Sequence, residues 1–238
     1  MRFKKGEKEL SLSRLVEKYV VSFAVFFTLN VPDLLLRRVF SEKNGFRPLP
    51  PPLPPQPFPQ PKLWPEVEIV IGPPRVPIAE YSTLTRIEYV PDRFLLDIRG
   101  PVEEVVNVVE RLPSLFNDLD YDLDEMVRYV EINFPMQPID VKEAVKRIRA
   151  LAMVKRSECF SDLVGGEVGL FSFSLSFPET PLTLKWFHLR VEPDVNSPNS
   201  RVLVSIIKRE EKVKEGFDFL AKIPQILSTI KKLLEELP

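Results

Sequence analysis

The stretch Phe171-Ser172-Phe173-Ser174-Leu175-Ser176-Phe177 alternates apolar and hydroxyl side chains at a period of two residues. In an extended backbone that period puts the apolar side chains on one side and the serines on the other. Segments 184–191 and 201–207 continue as strand-like patterns, and a long helical pattern follows them. The sequence therefore predicts a three-strand meander closed by a helix.

The same unit is predicted a second time, earlier in the chain. The matching segments are 67–71 with 169–173, 85–89 with 187–191, 93–98 with 201–206, and 102–119 with 213–230. Both copies reach a Pro-Asp turn after their second strand, and both helices carry a proline, Pro113 and Pro224, expected to kink or restart the helix. The shared turn and the shared proline indicate an internal duplication.

The predicted fold class is α+β, built from internally duplicated βββα units related by a pseudo-twofold axis. We expect antiparallel sheets with helices packed on one face, preceded by an apolar helix and a polyproline strap. Two such halves would form either one continuous saddle-like sheet or two sheets back to back. The predicted domains are an N-terminal apolar helical segment (1–46), a proline-rich strap or linker (47–65), a first βββα unit (66–135) and a second unit with an additional helix (136–238).

Residues 19–29 are almost wholly apolar, but they are too few to cross a bilayer, which takes roughly 20 residues. We therefore expect no transmembrane span here, and a helix buried by the protein or by a second copy. The alternative is a hairpin that lies on a membrane surface through residues 19–40. The interface residues predicted from this segment and from the strap are Phe23, Phe26, Phe27, Leu35, Leu36, Phe58 and Trp64.

Residues 47–65 read RPLPPPLPPQPFPQPKLWP. Proline fixes φ and donates no backbone hydrogen bond, so this tract is expected to form an extended polyproline II segment. It is interpreted as a strap on the protein's own surface, and the alternative is a ligand for an aromatic groove on a partner.

Composition limits the classes of function. There are 33 basic and 34 acidic residues, so no global field attracts nucleic acid. The single cysteine excludes an intrachain disulfide and fits a cytoplasmic protein. With 25 prolines, 8 glycines and 28% charged residues, the composition is typical of a thermophile.

No chemical motif is strong. Cys159 and His188 could form a thiol dyad only if the fold brought them together, and nothing in the sequence does so. The aspartate-rich segment 117–125 lacks the glycine and the terminal glutamate of a calcium loop, so it is interpreted as an acidic turn. We expect no metal, no cofactor and no enzymatic activity.

The hydroxyl-bearing face of the second meander is the most informative surface. The predicted binding residues are Trp186, His188, Arg190, Ser174, Ser205 and Arg209. The sequence favours a non-catalytic protein–protein interaction or assembly protein, with a protein partner or self-association as a homodimer. One alternative is nucleic-acid binding through this face, which carboxylates such as Glu88 and Asp97 on the equivalent face of the first copy disfavour. The other is a carrier that holds an apolar small molecule between the two units.

Overall fold

A computed structural model describes residues 19–51, 74–151, 171–177 and 184–236 of the chain. In these ranges nine strands form a single antiparallel sheet, and six α-helices accompany it, which confirms the α+β class. The strands are β1 Val20–Phe27, β2 Arg47–Pro48, β3 Val76–Glu80, β4 Arg86–Val90, β5 Leu95–Pro101, β6 Val127–Asp140, β7 Phe173–Ser176, β8 Trp186–Pro193 and β9 Arg201–Glu210. The helices are α1 Asp33–Val39, α2 Val102–Asn117, α3 Leu123–Met126, α4 Ala144–Leu151, α5 Val213–Leu220 and α6 Ile223–Glu235.

Across the sheet the strands follow the order β2-β3-β4-β5-β1-β6-β9-β8-β7. The two central strands are β1 and β6, which pair with each other. Outward from β1 lie β5, β4 and β3, and outward from β6 lie β9, β8 and β7. The meander predicted from the alternating stretch is therefore present as β7, β8 and β9, and helices follow it as expected.

The apolar run at the N-terminal end of the described chain is a strand, so the helix predicted over it is wrong. Residues Val20–Phe27 pair with β5 on one side and with β6 on the other. The run is rich in β-branched and aromatic side chains, which favour a pleated strand when neighbours are present on both sides. Since this strand is buried at the centre of the sheet, it is unavailable for a membrane-surface hairpin. The only α-helix of the segment within the described chain is the short α1.

A helical layer covers one side of the sheet. The buried residues of α2, α4, α5 and α6 belong to one hydrophobic cluster with Phe23, Val130, Leu96 and Ile206 from the strands. The side chains that alternate with these strand residues point to the other side. Helix α5 approaches the central strands closely at Gly216, where a Cβ atom would lie 2.5 Å from Val130 Cγ2.

The two prolines of the predicted repeat act differently. Helix α2 continues through Pro113, whereas α5 ends at Leu220 and α6 restarts with Pro224 in its first turn. A proline in the first turn has no intrahelical hydrogen bond to lose, so a restart is the less strained solution.

Several predicted features lie outside the described residues. These are most of the polyproline strap with Phe58 and Trp64, the strand predicted at 67–71, and Cys159. Within the described chain, the strand next to β4 is β3, which begins at Val76. The boundary predicted between residues 135 and 136 falls inside β6.

Candidate binding surface

The side of the sheet opposite the helices carries a row of stacked side chains, which we call the aromatic ladder. It consists of Phe26 on β1, Tyr129 on β6, Arg209 on β9, and Trp186 and His188 on β8. These four strands are consecutive in the sheet, so the ladder crosses its centre and most of its second half. Alternation along each strand places the five side chains on the face that none of the helices in the described ranges covers, which we call the uncovered face.

The contacts along the ladder are continuous. The rings of Phe26 and Tyr129 stack with centroids 4.4 Å apart and planes 20° from parallel. The Arg209 guanidinium carbon lies 5.6 Å from the Tyr129 ring centre and 5.3 Å from that of Trp186. Trp186 in turn stacks on His188, with centroids 6.0 Å apart and an interplanar angle of 12°. Arg209 is thus held between two aromatic rings, an arrangement that its planar cation favours.

A carboxylate fixes the orientation of that cation. Arg209 Nε donates a hydrogen bond to Glu131 Oε2 at 2.5 Å. Glu131 and Arg209 face each other in the pairing of β6 with β9, and Trp186 faces Arg209 in the pairing of β9 with β8. Backbone register therefore places the carboxylate, the guanidinium and the indole in one row. Burial raises the pKa of the Tyr129 phenol and the nearby Arg209 opposes that rise, so the hydroxyl is protonated at neutral pH.

All six binding residues predicted from the sequence lie on this face. Ser174, Arg190 and Ser205 are direct cross-strand neighbours on β7, β8 and β9. Trp186, His188 and Arg209 belong to the aromatic ladder. Arg190 forms an ion pair with Glu192 at 2.5 Å on the same strand. The hydroxyls and Arg190 therefore form a polar border beside the ladder.

In the first half of the sheet the same face is a neutralised ionic network around Asp97. This buried carboxylate accepts hydrogen bonds from Ser22 Oγ at 2.5 Å, Arg75 Nη1 at 2.8 Å and Arg99 Nη2 at 3.2 Å. Arg75 also reaches Glu88 at 3.0 Å, and its hydrogen bonds to Asp97 and Glu88 raise its pKa. The carboxylates that would repel a nucleic-acid backbone are thus paired.

A small apolar cluster separates the ionic network from the aromatic ladder. Ala24, Val90 and Leu95 are buried there, and Phe26 packs on them. This cluster lies on the side of the sheet away from the main core. It therefore supports the first ring of the ladder by packing against it.

The interface residues predicted in the N-terminal segment are mostly core residues, so that prediction is corrected. Phe23, Phe27, Leu35 and Leu36 are all buried in the main hydrophobic cluster of the single chain. They present no surface to a second molecule. Phe26 alone among them lies on the uncovered face, because it sits at the alternate position of β1.

Phe26, Tyr129 and Glu131 were not among the predicted binding residues of this face. The sequence places Phe26 in a predicted interface helix instead, because the segment has an almost continuous apolar run. The signal that could have placed it here is the alternation of Ser22, Ala24 and Phe26 with Val21, Phe23 and Val25. Tyr129 and Glu131 become site residues only because β6 lies next to β9.

The described residues give little support for a metal site, a calcium loop or a membrane span. Among the residues described, no group of three or more His, Cys, Asp or Glu is arranged to hold a metal ion. In the aspartate-rich turn, Asp122 accepts a hydrogen bond from the Asp124 amide at 2.9 Å, as a local helix cap does. Within the same described ranges, no helix has the length and apolar character needed to cross a membrane.

Comparison with known proteins adds no family or function. The sequence matches no protein-family model and no curated protein sequence.

Proposed function

We propose that this is a non-catalytic interaction protein whose contact surface for a protein partner is the aromatic ladder. The observation that carries the proposal is the continuous stack of Phe26, Tyr129, Arg209, Trp186 and His188 on the uncovered sheet face. Trp, Tyr and Arg are the residue types that dominate binding energy at protein interfaces. Here mutual stacking already orders them, so a partner would bind at a reduced entropic cost.

Charge pairing favours a protein partner over nucleic acid. Arg209 is matched by Glu131, Arg190 by Glu192, and Arg99 by Asp97. Nucleic-acid binding depends on cations that neutralise phosphates and release counterions. Cations that already hold carboxylates are poor at this, whereas arginine and aromatic side chains are enriched in protein interfaces.

Site-specific crosslinking tests the proposal. A photoreactive phenylalanine analogue at His188 should crosslink one defined protein in lysate of the source organism. The same analogue at Leu84, an exposed leucine in the β3–β4 loop of the opposite half of the sheet, should not. Trp186→Glu should reduce that capture at least about tenfold, as expected for the loss of an interface hot spot. Equal crosslinking from both positions, or capture that Trp186→Glu leaves unchanged, would refute the proposal.

Nucleic-acid binding is the second candidate, favoured by an Arg and two aromatic rings that a base could stack on. It requires salt-sensitive binding of single-stranded oligonucleotides that Arg190→Glu weakens. Under the primary proposal, anisotropy titrations show no such binding at micromolar protein. The function of a carrier that holds an apolar small molecule between the two units stays a prediction, and native mass spectrometry would check it by detecting a bound species. The cytoplasmic location also stays a prediction.

We also propose that the two halves of the sheet are copies of one β-α-βββ-α unit, a fuller form of the predicted βββα repeat. The pairing register supports this, because Ile87 faces Ile98 in the first half as Leu189 faces Ile206 in the second. Likewise Phe23 faces Ile98 and Phe134 faces Ile206. If this equivalence holds, the fragment 127–238 should dimerise by pairing β6 with β6, in place of the missing β1, and should still do so when Leu175→Lys puts a charge on the edge strand β7. A fragment that folds and stays monomeric at high concentration would contradict the duplication.

A further inference from the structure

Strand β7 is an edge of the sheet, and its composition favours pairing with a further strand. It lies at one end of the strand order, and in the described chain no strand pairs with its outer side. An edge strand presents a row of backbone donors and acceptors, which proteins usually protect with charge, proline or a very short strand. Residues 171–177 contain no charged residue and no proline.

The other edge of the sheet, strand β2, has features that protect against the addition of a strand. Strand β2 consists of only two residues, Arg47 and Pro48. Both an arginine and a proline discourage further pairing. Within the described residues, β7 therefore lacks both of the side-chain types that discourage further pairing at β2.

An open apolar cleft lies beside the same edge, between β7 and helix α6. Its volume is about 350 Å³, and its apolar lining is Phe173, Leu175, Leu189, Ile226, Ile230 and Leu233. Leu175 is 53% exposed and Leu233 is 45% exposed, so apolar side chains on both sides of the cleft remain accessible. A strand added to β7 would place every second side chain into the cleft.

We propose that the occupant of this edge is β7 of a second copy of the chain. The edge and the cleft together call for an uncharged extended segment that is apolar at alternate positions and small at the others. Residues 171–177 of the chain have that pattern themselves. A twofold axis perpendicular to the sheet pairs the two β7 strands antiparallel and keeps both apolar sides facing the helices. The apolar side chains of each copy then complete the cleft of the other.

The proposed dimer uses a surface separate from the aromatic ladder. Because the twofold axis keeps the same face of both sheets on one side, the dimer presents two ladders in one continuous surface. A partner with two matching sites would bind such a dimer with avidity. The two proposals fail separately, since Trp186→Glu is expected to weaken partner capture and leave the dimer intact.

The dimer is tested by the mass of the 238-residue chain in solution. Light scattering measures this mass across a range of micromolar concentrations. The wild type should approach twice its 27.5 kDa mass as concentration rises. Leu175→Lys should raise the dissociation constant at least about 100-fold, because it puts a charge inside the completed cleft of each copy. Leu233→Lys, across the cleft on α6, should do the same. Leu84→Lys is the matched control, since Leu84 is 67% exposed and remote from this edge.

Hydrogen exchange provides a readout that does not depend on mass. Amides of 173–176 should become more protected as the wild-type concentration rises, and should not in Leu175→Lys. A wild type that is monomeric throughout the range would overturn the proposal, as would a dimer that persists in both lysine variants. A monomer that binds a synthetic alternating peptide of unrelated sequence would assign this edge to another protein, and would overturn it as well.

Discussion

Gly216 is the position where the contact between the helical layer and the sheet can be tested most sharply. An alanine Cβ at this position of α5 would lie 2.5 Å from Val130 Cγ2 and 3.2 Å from Phe23 Cε2. Both neighbours are fully buried on the two central strands. The Val130 methyl is the tip of a stiff β-branched side chain, so it cannot move aside cheaply.

The expected magnitude follows from two opposing effects. Overpacking a buried site costs about 1–3 kcal/mol, while replacing glycine by alanine inside a helix gains about 1 kcal/mol. Gly216→Ala should therefore lower the free energy of unfolding by about 1 kcal/mol. In a Val130→Ala background the clashing methyl is gone, so the same substitution should become stabilising by about 0.5 kcal/mol.

These free energies are measured by guanidinium unfolding monitored by circular dichroism. The double-mutant cycle compares the wild type, both single variants and the double variant. The reversal of sign between the two backgrounds is the diagnostic result. If Gly216→Ala is equally destabilising in the wild type and in the Val130→Ala background, the contact between α5 and β6 is not what requires glycine, and the reasoning fails. If it is stabilising in both, the helix does not approach the strands this closely.

Three further predictions concern the packing at Gly100, the pair of Glu131 with Arg209, and the ionisation of Glu80. Gly100→Ala should lower the free energy of unfolding by about 2 kcal/mol or more, as measured by the same guanidinium experiment. The reason is that the alanine Cβ would overlap the buried Thr85, whose backbone Cα would be only 2.9 Å away. A double-mutant cycle of Glu131→Gln and Arg209→Gln should give a coupling free energy of about 0.5–1 kcal/mol, since both side chains are only partly exposed; a coupling of zero would mean that the pair does not orient Arg209. The hydrogen bond from Arg47 holds the pKa of Glu80 below its ordinary value of 4.5, so the ionised form stabilises the fold above that pH and the stabilisation is lost as the pH falls. The stability difference between wild type and Glu80→Gln should accordingly shrink on acidification below about pH 4.5, and a difference that is constant with pH would contradict this linkage.

Local patterns in the sequence were enough to predict the three outer strands of the second half of the sheet. Alternation over 171–177, 184–191 and 201–207 predicted β7, β8 and β9, and also predicted which side chains share the uncovered face. Period alone suffices there, because an edge meander has one solvated face and its polar and apolar residues separate cleanly. The six predicted binding residues lie on one face for the same reason.

The sequence was misleading at the centre of the sheet. Strand β1 pairs with β5 and β6 and is largely buried, so both of its faces are apolar or small and its alternation is weak. A short, continuous apolar run of this kind cannot be told from a buried helix by periodicity alone. The strand is selected because its two neighbours satisfy its backbone hydrogen bonds, and those neighbours lie some 70 to 110 residues away in sequence.

The sequence by itself therefore determined which side chains share a face in the outer strands β7, β8 and β9. It also determined that helices follow these strands. The tertiary structure alone decided that β1 lies between β5 and β6, and that β6 lies beside β9. Only this order brings Phe26 and Tyr129 to Arg209 and Trp186 and so completes the aromatic ladder. The physical reason is that side-chain direction follows from local backbone geometry, whereas strand neighbours are chosen by long-range burial and hydrogen bonding that no local pattern encodes.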